Sequence, residues 1–283
     1  MQSTSLAKIF RRGSKSFSLA AVFLDRERYE AACQIYAWCR YCDDAVDSIP
    51  QHDRQELERA VNSLKQQTAS VFSGLSQKEE AFRAFQVVTV KYKIPEEYPL
   101  ALIEGLAMDA RNERYETLAE LEVYAYRVAG TVGMMMTYVL GATDPRAKFH
   151  AKQLGIAMQL TNISRDILED AAMNRVYLPQ QWLREERLDP TTISDPAPRI
   201  TLAVLAKRLV DSAEPYYADG MQGLQYLEGR SALAIASAAG IYRAIGHIVV
   251  ERGSLAWDSR TIVPTWRKFW EIAKSFFLVR KTI

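Results

Sequence analysis

Two acid-rich segments stand out, Asp43-Asp44-Ala-Val-Asp47 and Asn162-Ile-Ser-Arg165-Asp166-Ile-Leu-Glu169-Asp170, each set in an apolar, helix-compatible stretch. Residues four apart share one face of a helix. Asp43 and Asp47 therefore point the same way, and so do Asn162, Asp166 and Asp170. Carboxylates stacked along one face repel unless something cationic lies between them. Hard oxygen ligands suit Mg²⁺, with Mn²⁺ as the alternative ion; Mg²⁺ is usually held by one or two carboxylates while substrate phosphates complete its shell. Two such faces opposed across a cavity would grip a diphosphate through bridging metal ions. The expected chemistry is metal-assisted departure of pyrophosphate. A solvated acidic face is the plainer alternative, and Ile35, Cys42, Val46, Ile163 and Ile167 argue against it by embedding the acids in hydrophobic sequence.

Around the first cluster, Tyr36, Arg40, Asp43 and Asp47 form one continuous helical stripe. Arg40 precedes Asp43 by one turn, where a guanidinium could bond phosphate oxygens that the metal also touches; the alternative is a plain intrahelical ion pair. The second helix repeats the design, with Gln159 and Asn162 leading into Arg165, Asp166 and Asp170. Gly13-Ser14-Lys15-Ser16-Phe17 mixes hydroxyls, a cation and a glycine, a set that can bind phosphate or simply cap a helix. It is not a P-loop, because the upstream glycine is absent. Gly130 and Gly133 each cost a helix roughly 1 kcal/mol relative to Ala, so a ligand or another helix must approach them closely. The neighbouring Met134, Met135 and Met136 could line an adaptable channel or pack in the core. Asn174-Arg175-Val-Tyr177-Leu-Pro179 and Tyr242-Arg243 could each bring a hydroxyl or a cation to a charged site. His52, His150 and His247 lack metal-ligand spacing, and no Ser-His-Asp or Cys-His arrangement is visible.

The elements that must position these residues read as helices almost throughout. Asp25 is placed to cap a helix running to about residue 48, where Pro50 ends it. Further helices are expected over 53–73, 77–92, from Pro95 to about 111, over 118–140 with Gly141 beyond its end, and from Pro145 through the second acid cluster. Pro179, Pro190, Pro196 and Pro198 mark a connector with a short helix at 180–186. Helices resume at 199–226, 230–252 and 264–279. Alternating strand patterns and repeats are missing, so one all-α domain over residues 1–283 is expected. The net charge of +2, from 36 basic against 34 acidic residues, offers no basic excess for nucleic acid. The start of the chain has no apolar run fit for a signal peptide, and no uninterrupted apolar stretch is long enough to span a membrane. Cys33, Cys39 and Cys42 are expected to be buried, reduced thiols of a cytoplasmic protein.

Taken together, Arg40-x-x-Asp43-Asp44-x-x-Asp47, Gln159-x-x-Asn162-x-x-Arg165-Asp166-x-x-Glu169-Asp170 and Val128-Ala-Gly-Thr-Val-Gly133 resemble the squalene/phytoene synthase family. Gly13-Ser-Lys-Ser-Phe17, Tyr36-Ala-Trp-Cys-Arg40, Asn174-Arg-x-Tyr-Leu-Pro179, Ala213-Glu-Pro-Tyr-Tyr217 and Ile241-Tyr-Arg243 add to the match, which covers residues 10 to 260 or so and is most like the bacterial phytoene synthases. The resemblance implies an all-α isoprenoid synthase fold with a central cavity between helices. It implies head-to-head condensation of two prenyl diphosphates through a cyclopropylcarbinyl diphosphate. Asp43, Asp47, Asn162, Asp166 and Asp170 match the family's metal ligands. Gly13, Ser14, Lys15, Ser16, Tyr36, Arg40, Gln159, Arg165 and Tyr242 fall where the family meets substrate diphosphates. Tyr124 matches a tyrosine thought to assist ionisation and proton transfer. Overall likeness favours C20 geranylgeranyl diphosphate, joined through prephytoene diphosphate to phytoene in carotenoid biosynthesis; C15 substrates would give dehydrosqualene or presqualene diphosphate. A terpene cyclase, a head-to-tail elongating enzyme and a non-catalytic assembly factor are the weaker alternatives. No nicotinamide cofactor is expected, since no G-x-G-x-x-G follows a strand.

The last stretch, Pro264 to Lys281, puts Trp266, Phe269, Trp270, Ala273 and Phe277 on one helix face and Arg267, Lys268 and Lys274 on another. Aromatics opposite basic residues suit a helix lying in a membrane interface, which would hold the enzyme peripherally on the inner face of the membrane. The alternative is an aromatic face packed on the rest of the chain.

Overall fold

The computed structural model describes residues 2–195 and 197–282; Pro196 of the expected connector lies outside them. Among the described residues there is no strand. The helices are α1 (Gln2–Gly13), α2 (Lys15–Ala20), α3 (Arg26–Asp47), α4 (Arg54–Phe72), α5 (Glu80–Tyr92), α6 (Glu97–Ala110), α7 (Leu118–Ala125), α8 (Thr131–Val139), α9 (Arg146–Ala172), α10 (Gln180–Glu185), α11 (Arg199–Gln222), α12 (Gly229–Arg252) and α13 (Thr265–Thr282). Asp25, Asp53 and Thr117 cap α3, α4 and α7 as their side-chain oxygens accept backbone N–H bonds. Helix α1 was not anticipated: it is anchored by Leu6 and Phe10, four residues apart, the Phe10 ring meeting Tyr36 at 5.1 Å and Tyr29 at 6.1 Å.

The expected single helix over 118–140 is interrupted. Residues Tyr126–Gly130 form a π-helical turn in which the Thr131 N–H reaches the carbonyl of Tyr126, and the Thr131 hydroxyl donates to the Arg127 carbonyl at 2.6 Å. The glycines explain how this crowded segment fits. A Cβ at Gly133 would sit 2.5 Å from the Ala151 carbonyl oxygen on α9, and one at Gly155 would sit 2.5 Å from that of Ala129. The close approach is therefore helix on helix, and Met135 lies fully buried in the core.

Two large apolar clusters fill the interior. One gathers α9, α11 and α12 around Leu160, Ile163, Leu205, Leu209 and Ile241. The other gathers α3 to α6 and α8 around Trp38, Phe82, Phe85, Ile103 and Met135, with Trp38 stacked on Phe85 at 4.1 Å. The first acid motif rides on the second of these clusters and the second acid motif on the first. Helix α12 is long and apolar enough to cross a membrane, but most of it is buried against other helices, close-packed through Ala232, Ala236, Ala239 and Gly246. Cys33 and Cys42 are buried and Cys39 only partly so; all three are free thiols.

The aromatic face of α13 is turned outward, contrary to the packed alternative. Trp266 is 70% exposed and Phe277 65%, with Phe269 and Trp270 similar. The helix instead rests on α12 through Ser275, Val279 and Glu271, since small residues such as Gly240 admit short side chains and not indoles.

Candidate active site

Helix α3 buries Ile35, Trp38, Cys42 and Val46, which leaves Tyr36, Arg40, Asp43 and Asp47 on the other side. Arg40 bonds Asp43 Oδ2 at 3.1 Å and Asp44 Oδ1 at 2.5 Å, so in this state it forms the intrahelical ion pair weighed above. Asp47 Oδ1 receives Arg175 Nη2 at 2.6 Å, from the segment between α9 and α10. Helix α9 does the same with buried Leu160, Ile163 and Ile167 behind Asn162, Asp166 and Asp170. Arg165 grips both oxygens of Asp166, at 2.7 and 2.5 Å.

Burial and like charge leave Asp43 and Asp170 short of countercharge. Asp43 is pushed up to about 7, first by burial and then by Asp47, against the pull of Arg40. Asp170 is pushed up to about 8 by burial and by Asp166. The Asn162 amide donates to Gln159 Oε1 at 3.3 Å, while its own carbonyl oxygen is buried without a partner. An orphaned oxygen beside protonation-prone carboxylates is a donor set that fits a hard divalent cation. Among the described residues no three carboxylate, His or Cys side chains converge on one point. A metal here would therefore draw further donors from a phosphate ligand.

The phosphate-binding candidates converge on the same side. Gly13 lies against Tyr36, so closely that a Cβ would fall 2.0 Å from the phenolic oxygen. Ser14 caps α2 by accepting the Phe17 N–H at 3.2 Å and lies within hydrogen-bond reach of Tyr242. Phe17 covers the Tyr242 ring at 4.7 Å. Tyr242 in turn feels Arg165 and Asp166, and Tyr36 feels Arg40 and Tyr242. Lys15 is exposed on the first turn of α2 and Ser16 half-buried beside it. Arg243 does not join them; it points across to Glu214 on α11.

Tyr124 lies deeper than the rest of the set, its hydroxyl on a carboxylate that sequence reasoning missed. Asp109 of α6 is buried and accepts from Tyr124 at 2.9 Å and Tyr177 at 2.7 Å. Its only signal in the sequence was an acid inside the apolar run Leu106-Ala-Met-Asp109-Ala. Arg260, also missed, lies on the connector before α13, where no pattern marks it; it pairs with Glu169 and reaches Asp166 at 3.4 Å.

Comparison with known proteins agrees with this geometry. The family model for squalene/phytoene synthase matches residues 10–269. The chain is 42% identical to a 15-cis-phytoene synthase of Enterobacter agglomerans, over 90% of this chain and 88% of that one. It is 40% identical to a 15-cis-phytoene synthase of Pantoea ananas, over 90% and 85% respectively. Its fold matches a dehydrosqualene synthase solved with a ligand at a TM-score of 0.88 and 28% identity, covering 99% of this chain and 97% of that one. With the family model matching residues 10–269 and the relatives 40% identical or more over 90% of its length, the chain belongs to the squalene/phytoene synthase family.

Proposed function

We propose that the chain is a phytoene synthase, a prenyltransferase that condenses two C20 geranylgeranyl diphosphates head to head and releases diphosphate, with residues 1–283 acting as one catalytic unit. The observation that carries this reading is the likeness to two 15-cis-phytoene synthases over 90% of the chain, on a scaffold with both acid motifs intact. The likeness to a dehydrosqualene synthase structure keeps C15 substrates as the second reading.

In this reading Asp43, Asp47, Asn162, Asp166 and Asp170 would hold Mg²⁺, whose charge stabilises the diphosphate as the C–O bond breaks. Arg40, Arg165 and Arg260 give up carboxylate partners to take phosphate oxygens, so the positive charge is in place before the leaving group needs it. Gly13 lets Tyr36 stand close to the α1–α2 turn, and Ser14 and Tyr242 offer hydroxyls to the same phosphates. The carbocation that remains must be kept from water, and the rings of Tyr115 and Tyr124, each stacked on Tyr177, supply a dry aromatic wall. Proton loss ends the sequence, so no reductant is required. Purified protein given Mg²⁺ and geranylgeranyl diphosphate, without NADPH, is expected to yield phytoene. A C30 product formed only from farnesyl diphosphate would move the assignment to C15, and squalene appearing only with NADPH would overturn it.

The exposed aromatic face of α13 supports a further part of the reading, peripheral attachment to the inner face of the membrane. Trp266, Phe269, Trp270 and Phe277 can enter the acyl boundary while neighbouring basic residues meet anionic headgroups. Substrates and product are themselves lipophilic.

A further inference from the structure

Asp109 has no place in the metal and phosphate sites above, yet it is buried, 6% exposed, at the end of α6. Both of its oxygens are engaged: Oδ2 by the Tyr124 hydroxyl at 2.9 Å and Oδ1 by that of Tyr177 at 2.7 Å. The two phenol oxygens lie 3.2 Å apart and their rings stack at 4.9 Å, with Tyr115 against both. The nearest helping cation, Arg175, bonds Asp47.

A buried carboxylate costs stability that an amide or an apolar residue of similar size would not. Burial pushes Asp109 up to about 6, in spite of Arg175 and the two phenols. At neutral pH it is thus an ionised group with raised proton affinity in a dry setting. Both phenol protons are directed at it, so each phenol oxygen presents only lone pairs elsewhere. Such an oxygen can take up a proton only by passing its own onward.

We propose that Asp109 acts through Tyr124, as the positioning residue that orients this phenol and receives its proton when the cyclopropane ring of the intermediate closes. The inference rests on the head-to-head reading given above. After C1 of the first prenyl group has bonded to C2 of the second, the positive charge sits on C3 of the second. The C1–H bond then breaks and its electron pair forms the C1–C3 bond that closes the ring. The proton goes to the Tyr124 oxygen, and the Tyr124 proton passes to the Asp109 carboxylate, which becomes neutral. The released diphosphate later takes the proton back through the same phenol, restoring Asp109.

The test compares the full-length native chain with Asp109→Asn, Tyr124→Phe and the double variant, using prenyl diphosphate with and without deuterium at C1. Asp109→Asn is expected to lose about 10²- to 10⁴-fold in kcat, the usual range for a lost acid–base function, with KM little changed. Proton removal should then limit the rate, so the isotope effect should exceed that of the native enzyme. Because the two residues act in series, the double variant should be no slower than the slower single variant. An unchanged isotope effect, or losses that multiply in the double variant, would overturn the proposal. Should the Asn chain fail to fold, Asp109→Ala, which leaves no proton acceptor there, decides instead: an isotope effect no larger than the native one overturns the role. A native chain that forms no coupled hydrocarbon sinks the functional reading along with it, whereas an active native chain with a normal variant sinks only Asp109.

Discussion

At the residue scale, the site holds carboxylates under opposing demands. Asp43→Asn and Asp166→Asn are each expected to lower turnover by roughly 10²- to 10³-fold, the scale seen when one preorganised electrostatic contact is removed, with circular dichroism unchanged. Asp170→Asn should be equally damaging to turnover and yet stabilising without metal. Its folded pKa of about 8 stands above the ordinary value of 3.8 for an unburied aspartate, so between those values the folded chain binds more protons than the unfolded one, and stability falls as pH rises. In EDTA, the melting temperature of Asp170→Asn should exceed that of the native protein by more at pH 9 than at pH 5; an advantage that shrinks with pH would refute this. The acid motifs were legible because like charges at helical spacing have no local explanation. Asp109 was not, because one acid in an apolar run gains meaning only when Tyr124 and Tyr177, distant in sequence, close over it. Arg260 was missed for the same reason.

At the element scale, caps and prolines marked most boundaries. The start of α3 followed from Asp25 and the bend after α8 from Gly141, whose φ is +76°, whereas Asp53 shows itself as the cap of α4 only in the structure. The π turn at Tyr126–Gly130 was not legible, because periodicity continues smoothly across it and only tertiary crowding selects the wider turn. Small residues carry that crowding: a Cβ at Gly155 would meet the Ala129 oxygen at 2.5 Å and the Gly130 Cα at 2.6 Å. Backbone atoms cannot step aside as side chains do. Gly155→Ala is therefore expected to destabilise by about 1–3 kcal/mol, as overpacking does, despite Ala being the better helix former. Urea denaturation measures this, and a variant as stable as the native chain would show that α9 can retreat from the π turn at no cost.

At the scale of the whole molecule, surface and interior raise separate questions. Replacing Trp266, Phe269, Trp270 and Phe277 together by Ser leaves the contacts of α13 with α12 in place, so folding and turnover in detergent should persist. Flotation with anionic liposomes should fall sharply for that variant; equal flotation would remove α13 as the anchor. Inside, the acid motifs stand on helices that belong to different apolar clusters, with Arg175 to Asp47 as one strut between them. Whatever joins the motifs is then a rivet between the two halves of the interior. Its binding energy adds to the cohesion of the chain by mass action, about 2.7 kcal/mol at a hundredfold excess over its dissociation constant. Resistance to heat thereby becomes a gauge of occupancy, and an enzyme emptied of ligand is also the one most readily cleared.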